Sequence, residues 1–262
     1  MSWLRVRSIA KRHAYVLRRS PHRLYDITIW PVVDVLLFGS LGVFLSETEG
    51  GEAAAYGYLL GGIVLWHVVY QSQIALSTGF LEETWSRNLL NLMVTPLKEL
   101  EYAAGVALFG LVKLALGVGL VALGALGFFA FDVTDVGVGL IPIAAVLLAV
   151  GWAIALFVIA LVLRFGSGAE ALAWGILFLV MPLSGVFYPV PALPGAVQPI
   201  AKLLPTTHAF AAMRSLLDGE GLAWDELGIA AAGVLVLALG ATIFLAKMLS
   251  LFRTRGYITR YS

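Results

Sequence analysis

Six stretches of the 262-residue chain are each long and apolar enough to cross a bilayer, and no other property of the sequence constrains its folding as strongly. A helix needs about 20 predominantly apolar residues to span the hydrocarbon core. Its backbone N–H and C=O groups must bond within the segment, because lipid offers them no partner. The stretches are 27–46, 54–79, 102–131, 137–163, 169–188 and 227–251. The third and fourth exceed the minimum, which predicts tilting or bending. Composition agrees with this reading: 60% of the residues are hydrophobic and 13% are charged, against roughly 25% charged in an ordinary soluble domain. The expected fold class is therefore an all-α polytopic membrane protein, read as one domain over residues 1–262.

The net charge is only +1, from 17 Lys+Arg and 16 Asp+Glu, so there is no overall basic field to attract nucleic acid. Position is more informative than the sum. Fourteen of the cations fall on one side of the predicted spans: seven before the first span, then Arg87, Lys98 and Arg164, then Lys247, Arg253, Arg255 and Arg260. The other side holds Lys202 and Arg214 among nine acids, and Lys113 falls inside the third span. The positive-inside rule then predicts both termini in the cytoplasm.

Three pieces outside the spans carry structure of their own. No short apolar core with an A-x-A-like site precedes the first span, so the basic N-terminal segment is expected to be retained. Over residues 1–20, helical spacing places Trp3, Val6, Ala10, Ala14 and Leu17 on one face. Arg5, Ser8, Arg12, Tyr15 and Arg19 fall on the other, and Ser20-Pro21 marks the end. This predicts an interfacial helix on the anionic leaflet, or a basic leader that only sets topology.

In the segment between the second and third spans, Leu81, Trp85, Leu89 and Leu92 recur at helical intervals, with Glu82, Glu83, Ser86 and Arg87 between them. A short amphipathic helix is expected over 82–92, laid into a groove of a cytoplasmic partner or floating on headgroups. After the fifth span, six of the ten prolines fall between Pro182 and Pro205. No continuous helix passes through them. The apolar runs 196–204 and 207–217 predict short helices that dip back into the membrane within the segment 189–217, or else a plain external cap.

Ionisable groups inside spans are functional candidates, since each costs about 2.5–3.5 kcal/mol at mid-bilayer on insertion scales. Asp34 in the first span and Lys113 in the third are such groups, and a pair between them is expected; snorkelling of Lys113 is the alternative. The second span carries His67 and Gln71 one turn apart, with Gly57 and Gly61 as a GxxxG pair. These either glue helices together or line a polar route.

The absence of cysteine excludes disulfides, thiol catalysis and Cys-ligated metals. The four histidines lack metal-site spacing, and no GxxxxGK[ST] stretch is present to bind ATP. An intramembrane serine protease of the rhomboid type would need a Ser184–His208 dyad, yet Pro182 replaces the first glycine of its GxSG motif and the last span contains no histidine. A channel or membrane anchor is the remaining alternative.

The order of these parts resembles the permease subunits of type-2 ABC exporters, whose members carry nodulation factors, polysaccharides and drugs. The stretch PLSGVFYPVPALPGAVQPIAKLLPTTHAFAAMR, residues 182–214, is similar to the family's SG-[FY]-P…LP…P-T signature. RNLLNLMVTPLKELEYAAG, residues 87–105, is similar to its L…L…TP…E…G run. The resemblance implies a permease dimer in the cytoplasmic (inner) membrane that exports a glycan, lipid-linked or drug-like cargo. It implies no cofactor in this chain, with ATP and Mg held by a separate ATPase subunit. Glu82, Glu83, Trp85, Arg87, Leu89 and Leu92 would then form the coupling helix. Phe187, Tyr188, Pro205, His208 and Arg214 would belong to the external gate, and spans one, two and five would line the route.

Overall fold

The computed structural model describes residues 2–48, 54–85, 95–169 and 171–255, and among them every regular element is helical. In chain order the α-helices are α1 (Trp3–Arg18), α2 (Pro21–Glu47), α3 (Ala54–Trp85), α4 (Glu99–Phe129), α5 (Leu140–Phe165), α6 (Leu172–Leu183), α7 (Gln198–Ala201), α8 (Pro205–Leu217) and α9 (Trp224–Arg255). Short 3-10 turns occupy Val133–Val136, Gly166–Ala169 and Val190–Ala192. Helices α2, α3, α4, α5 and α9 contain segments of 21 to 29 residues that are apolar enough to cross a membrane.

The expected fifth span, 169–188, is realised differently. Only Leu172–Leu183 is α-helical, 12 residues, or about 18 Å at 1.5 Å per residue, well short of a hydrocarbon core of about 30 Å. Pro182 weakens the end of the helix, and Gly185 then adopts φ +63°, a left-handed conformation that suits glycine. The helix therefore ends part-way through the bundle, and the turn and the helices after it carry the chain on to the far end, where Leu216 meets Gly139.

Helix α3 occupies the centre and is buried along almost its whole span, packed by α2, α4 and α5. Helices α2, α4 and α9 bury only a minor share of theirs. The outer faces of α4 and α9 expose Leu123, Leu235 and Val236, the surface expected of helices solvated by lipid. Helices α2 and α4 run parallel, because Gly39 abuts Phe129 and Gly124 abuts Val35. The close approach on α3 falls at Gly61, against Leu217 and Met213, and at Gly62, against the Val186 backbone; Gly57, the other half of the GxxxG pair, meets nothing within 4 Å.

Helix α8 rises obliquely from inside the bundle. Pro205 at its start sits against Gly233, nine residues past the start of α9 and thus about 14 Å along that helix. Leu216 near its end reaches Gly139, just before α5.

Candidate functional site

Helix α1 is bound to both flanks of the 86–98 segment. On one flank, Arg12 meets Glu83 in the last turn of α3: Nη2 donates to Oε2 at 2.9 Å, and Nη1 lies 2.7 Å from Oε1. The Glu83 side chain is 1% exposed and that of Arg12 38%. The Nη2–Oε2 contact is a charge-assisted hydrogen bond, the stronger class, and Nη1 and Oε1 lie close as an ion pair without a second hydrogen bond. His13, also buried, sits 3.8 Å from Glu82 and 3.9 Å from Glu83, and stacks on Phe109.

On the other flank stands Glu101, in the first turn of α4. Its carboxylate accepts from the backbone N–H of Lys98 at 3.1 Å, from the N–H of Ser2 at 2.6 Å and from Arg5 Nη1 at 3.1 Å. Arg5 Nη1 also donates to the Pro96 carbonyl at 2.6 Å. The Lys98 and Ser2 amides, and then Arg5, hold the Glu101 carboxyl at about 2, far below its ordinary 4.5. Between the two flanks Tyr102 donates to the Gly79 carbonyl, and its phenol is pushed up by burial and by the neighbouring Glu83 and Glu82 charges.

This arrangement corrects the expected facing of α1. Val6, Ile9 and His13 are its buried stripe, whereas Trp3 is 64% exposed and Ala14 is also exposed. Arg5 and Arg12, assigned to the outer face, turn inward to the buried carboxylates. The helix therefore rotates about its axis, drawn by those pairs and by Gly105, whose missing side chain leaves room for Ile9 and the Val6 carbonyl. The outward face carries Trp3, Leu4, Arg7, Lys11, Tyr15 and Arg18, a mixture suited to headgroups.

Of the residues assigned to coupling, Glu82 and Glu83 lie on α3 and face α1, and α3 continues through Trp85. Arg87, Leu89 and Leu92 lie outside the described residues.

Within the spans, Asp34 meets His67: Nε2 lies 3.0 Å from Oδ2. The expected Asp34–Lys113 pair is corrected by the register of α2 and α4. Lys113 lies eleven residues before Gly124, which abuts Val35, and so about 16 Å from the level of Asp34. That gap exceeds the reach of a lysine side chain. Gln71 is buried against Gly117, and Gln73 donates to the Ser77 hydroxyl, which donates in turn to the Gln73 carbonyl. The polar groups of α3 thus largely face its neighbours.

At the opposite end, the two halves of the proline-rich signature meet. Ser184, fully buried, donates to the Val180 carbonyl at 2.7 Å and lies 2.6 Å from the Thr206 hydroxyl. Thr207 donates to the Ala201 carbonyl at 2.7 Å. Arg214 donates to the Gly185 carbonyl, Tyr188 donates to the Pro182 carbonyl, and Phe187 stacks on Phe38 of α2 with ring centroids 4.0 Å apart. His208 sits between Glu226 on α9, at 2.6 Å, and the Lys202 carbonyl, at 2.9 Å. A cavity of about 960 Å³ opens here, lined by Tyr58, Tyr188, Lys202, His208, Arg214 and Glu226 among others. Ser184 and His208 are thus committed to different partners, and no Ser–His dyad forms. Sequence reasoning missed the Ser184–Thr206 contact and the two α1 clamps. The acid–base pattern of α1 against Glu83 and Glu101 was visible, but nothing in one sequence couples positions 71 to 99 residues apart.

A lipid-facing helical bundle with buried ion pairs at one end, and with helices that turn back into it at the other, defines a polytopic membrane domain. Residues 5–217 match the family model described as ABC-2 type transporter. The chain belongs to that family and is the membrane permease of an ABC transporter, a transport subunit rather than a catalyst. No curated protein matches the sequence at a significant level.

Proposed function

We propose that the chain is the membrane half of an ATP-driven exporter: two copies form the route, and each docks on a separate ATPase subunit that holds ATP and Mg. The protein sits in the cytoplasmic membrane with both termini inside, as the lysine and arginine distribution favours. Its cargo is amphipathic, in the range of glycans, lipid-linked molecules and drugs, and leaves on the side of α8.

The observation that carries this reading is the double clamp. Arg12–Glu83 and Arg5–Glu101 fix α1 to both flanks of the 86–98 segment, so that a push on that segment is delivered to α3 and α4 together. Helix α3 is the central member of the bundle, and a displacement at its end reaches the turn at Val186 and helix α8, which pack on Gly62 and Gly61. Packed elements with discrete arrangements transmit such shifts as rigid movement.

The test is co-purification of an ATPase subunit with the full chain. Trp85→Asp or Leu89→Asp should abolish recruitment while the permease still elutes as a folded species. A variant that still holds a stimulated ATPase removes the coupling assignment, and a permease that never binds an ATPase removes the exporter reading.

A further inference from the structure

We propose that the Asp34–His67 pair recognises a positive charge on the cargo, which makes the exported class hydrophobic cations: an ammonium, guanidinium or phosphonium group carried on an apolar body. This rests on the exporter reading and narrows it.

Asp34 is the eighth residue of the span Ile27–Glu47, about 10 Å inside it. A carboxylate at that depth is costly unless a cation balances it. His67 does not balance it. Its Nε2 bonds to Asp34, while its Nδ1 is buried without a hydrogen-bond partner among the described residues. Protonating both ring nitrogens would strand an N–H in the interior. A neutral ring donating from Nε2 leaves only a lone pair unmatched at Nδ1 rather than a stranded N–H, and the pair then carries one unbalanced negative charge. Lys113, the cation within a neighbouring span, lies about 16 Å away along the axis.

The carboxylate is partly accessible. The His67 side chain is 2% exposed, but that of Asp34 is 32% exposed. It opens beside Trp30 and Leu37, one turn to either side on α2 and both exposed. An indole face next to a carboxylate suits an organic cation, which gains from both the charge and the ring. A branched apolar body can rest on Leu37. An anion meets repulsion at this place.

The experiment uses the full chain in lipid nanodiscs, with empty nanodiscs subtracted. Binding of tetraphenylphosphonium is measured by equilibrium dialysis, and tetraphenylborate, of the same shape and opposite charge, is measured separately. The expected result is one saturable phosphonium site and no borate site. Asp34→Asn should weaken phosphonium binding by about tenfold or more, the scale of one charge-assisted contact, whereas Asp34→Glu should stay within about threefold.

Absence of a saturable phosphonium site on the unaltered protein overturns the inference. So does equal binding of the borate, or an unchanged affinity in a folded Asp34→Asn variant. The comparison of the two ions decides the point even where that variant does not fold. No ATPase is required, so failure here leaves the exporter reading intact, and failure of ATPase recruitment leaves the cation site intact.

Discussion

Removing Arg12 should loosen α1 from the end of α3 by an amount that the local geometry sets. Exposed ion pairs contribute about 0–1 kcal/mol, and stranding one member of a fully buried pair costs about 3–5 kcal/mol. Arg12 is 38% exposed and Glu83 only 1%, so Arg12→Ala removes the accessible partner and leaves a carboxylate inside. His13, 3.9 Å from Glu83, compensates in part. The expected cost is about 2–3 kcal/mol, between these limits. The chain has no cysteine, so Ile9→Cys in the buried stripe of α1 supplies a single reporter of opening.

With fast reclosing, the maleimide labelling rate follows the opening equilibrium, and the Arg12→Ala background should label about 30- to 150-fold faster. Glu83→Gln strands no charge and should speed labelling far less. The double variant should fall well below the product of the singles, because both act on one contact. Labelling of Arg12→Ala within about threefold of the parent, or strict multiplication in the double variant, would refute the idea that this pair holds α1 in place.

The remaining expectations concern other contacts of the same framework. Gly105→Leu places a side chain where a Cβ already meets Ile9 Cβ at 2.6 Å, so a spin label at the exposed position of Leu4 should become markedly more mobile. The Glu101 carboxyl titrates at about 2 in the folded chain against an ordinary 4.5. Its contribution is therefore complete above about pH 4.5 and is lost as pH falls towards 2; the same spin label should loosen in that window in the parent but not in Glu101→Gln. Ser184→Ala removes a hydroxyl shared by the Val180 carbonyl and Thr206, and thermal unfolding should show a loss of about 1–2 kcal/mol.

The long spans were legible because lipid imposes one solution on a run of 20 apolar residues. Five helices follow the predicted stretches closely, with ends shifted by a few residues. The stretch 169–188 misled for a physical reason. Hydropathy records that Pro182, Gly185 and their neighbours are apolar or small, and is blind to the left-handed turn at Gly185. The proline content beyond it did signal interrupted helix, and α7 and α8 are short helices within that region. The depth of Pro205 beside Gly233 depends on packing between distant segments, which periodicity cannot report.

The site was less legible, because its charges act across the chain rather than along it. Reading α1 by apolar spacing alone assigned Arg5 and Arg12 to water, as an isolated helix would require. In the bundle, Glu83 and Glu101 are buried at the starting and finishing helices of one connection, and a buried carboxylate demands a cation more strongly than an alanine demands burial. The arginines therefore decide the rotation of α1. The same reasoning separates Asp34 from these acids. Glu83 and Glu101 each have an arginine, whereas Asp34 has a histidine whose second nitrogen is buried without a partner among the described residues. Two of the three carboxylates hold the scaffold, and the third, open beside Trp30, is the one left to bind a charge from outside the chain.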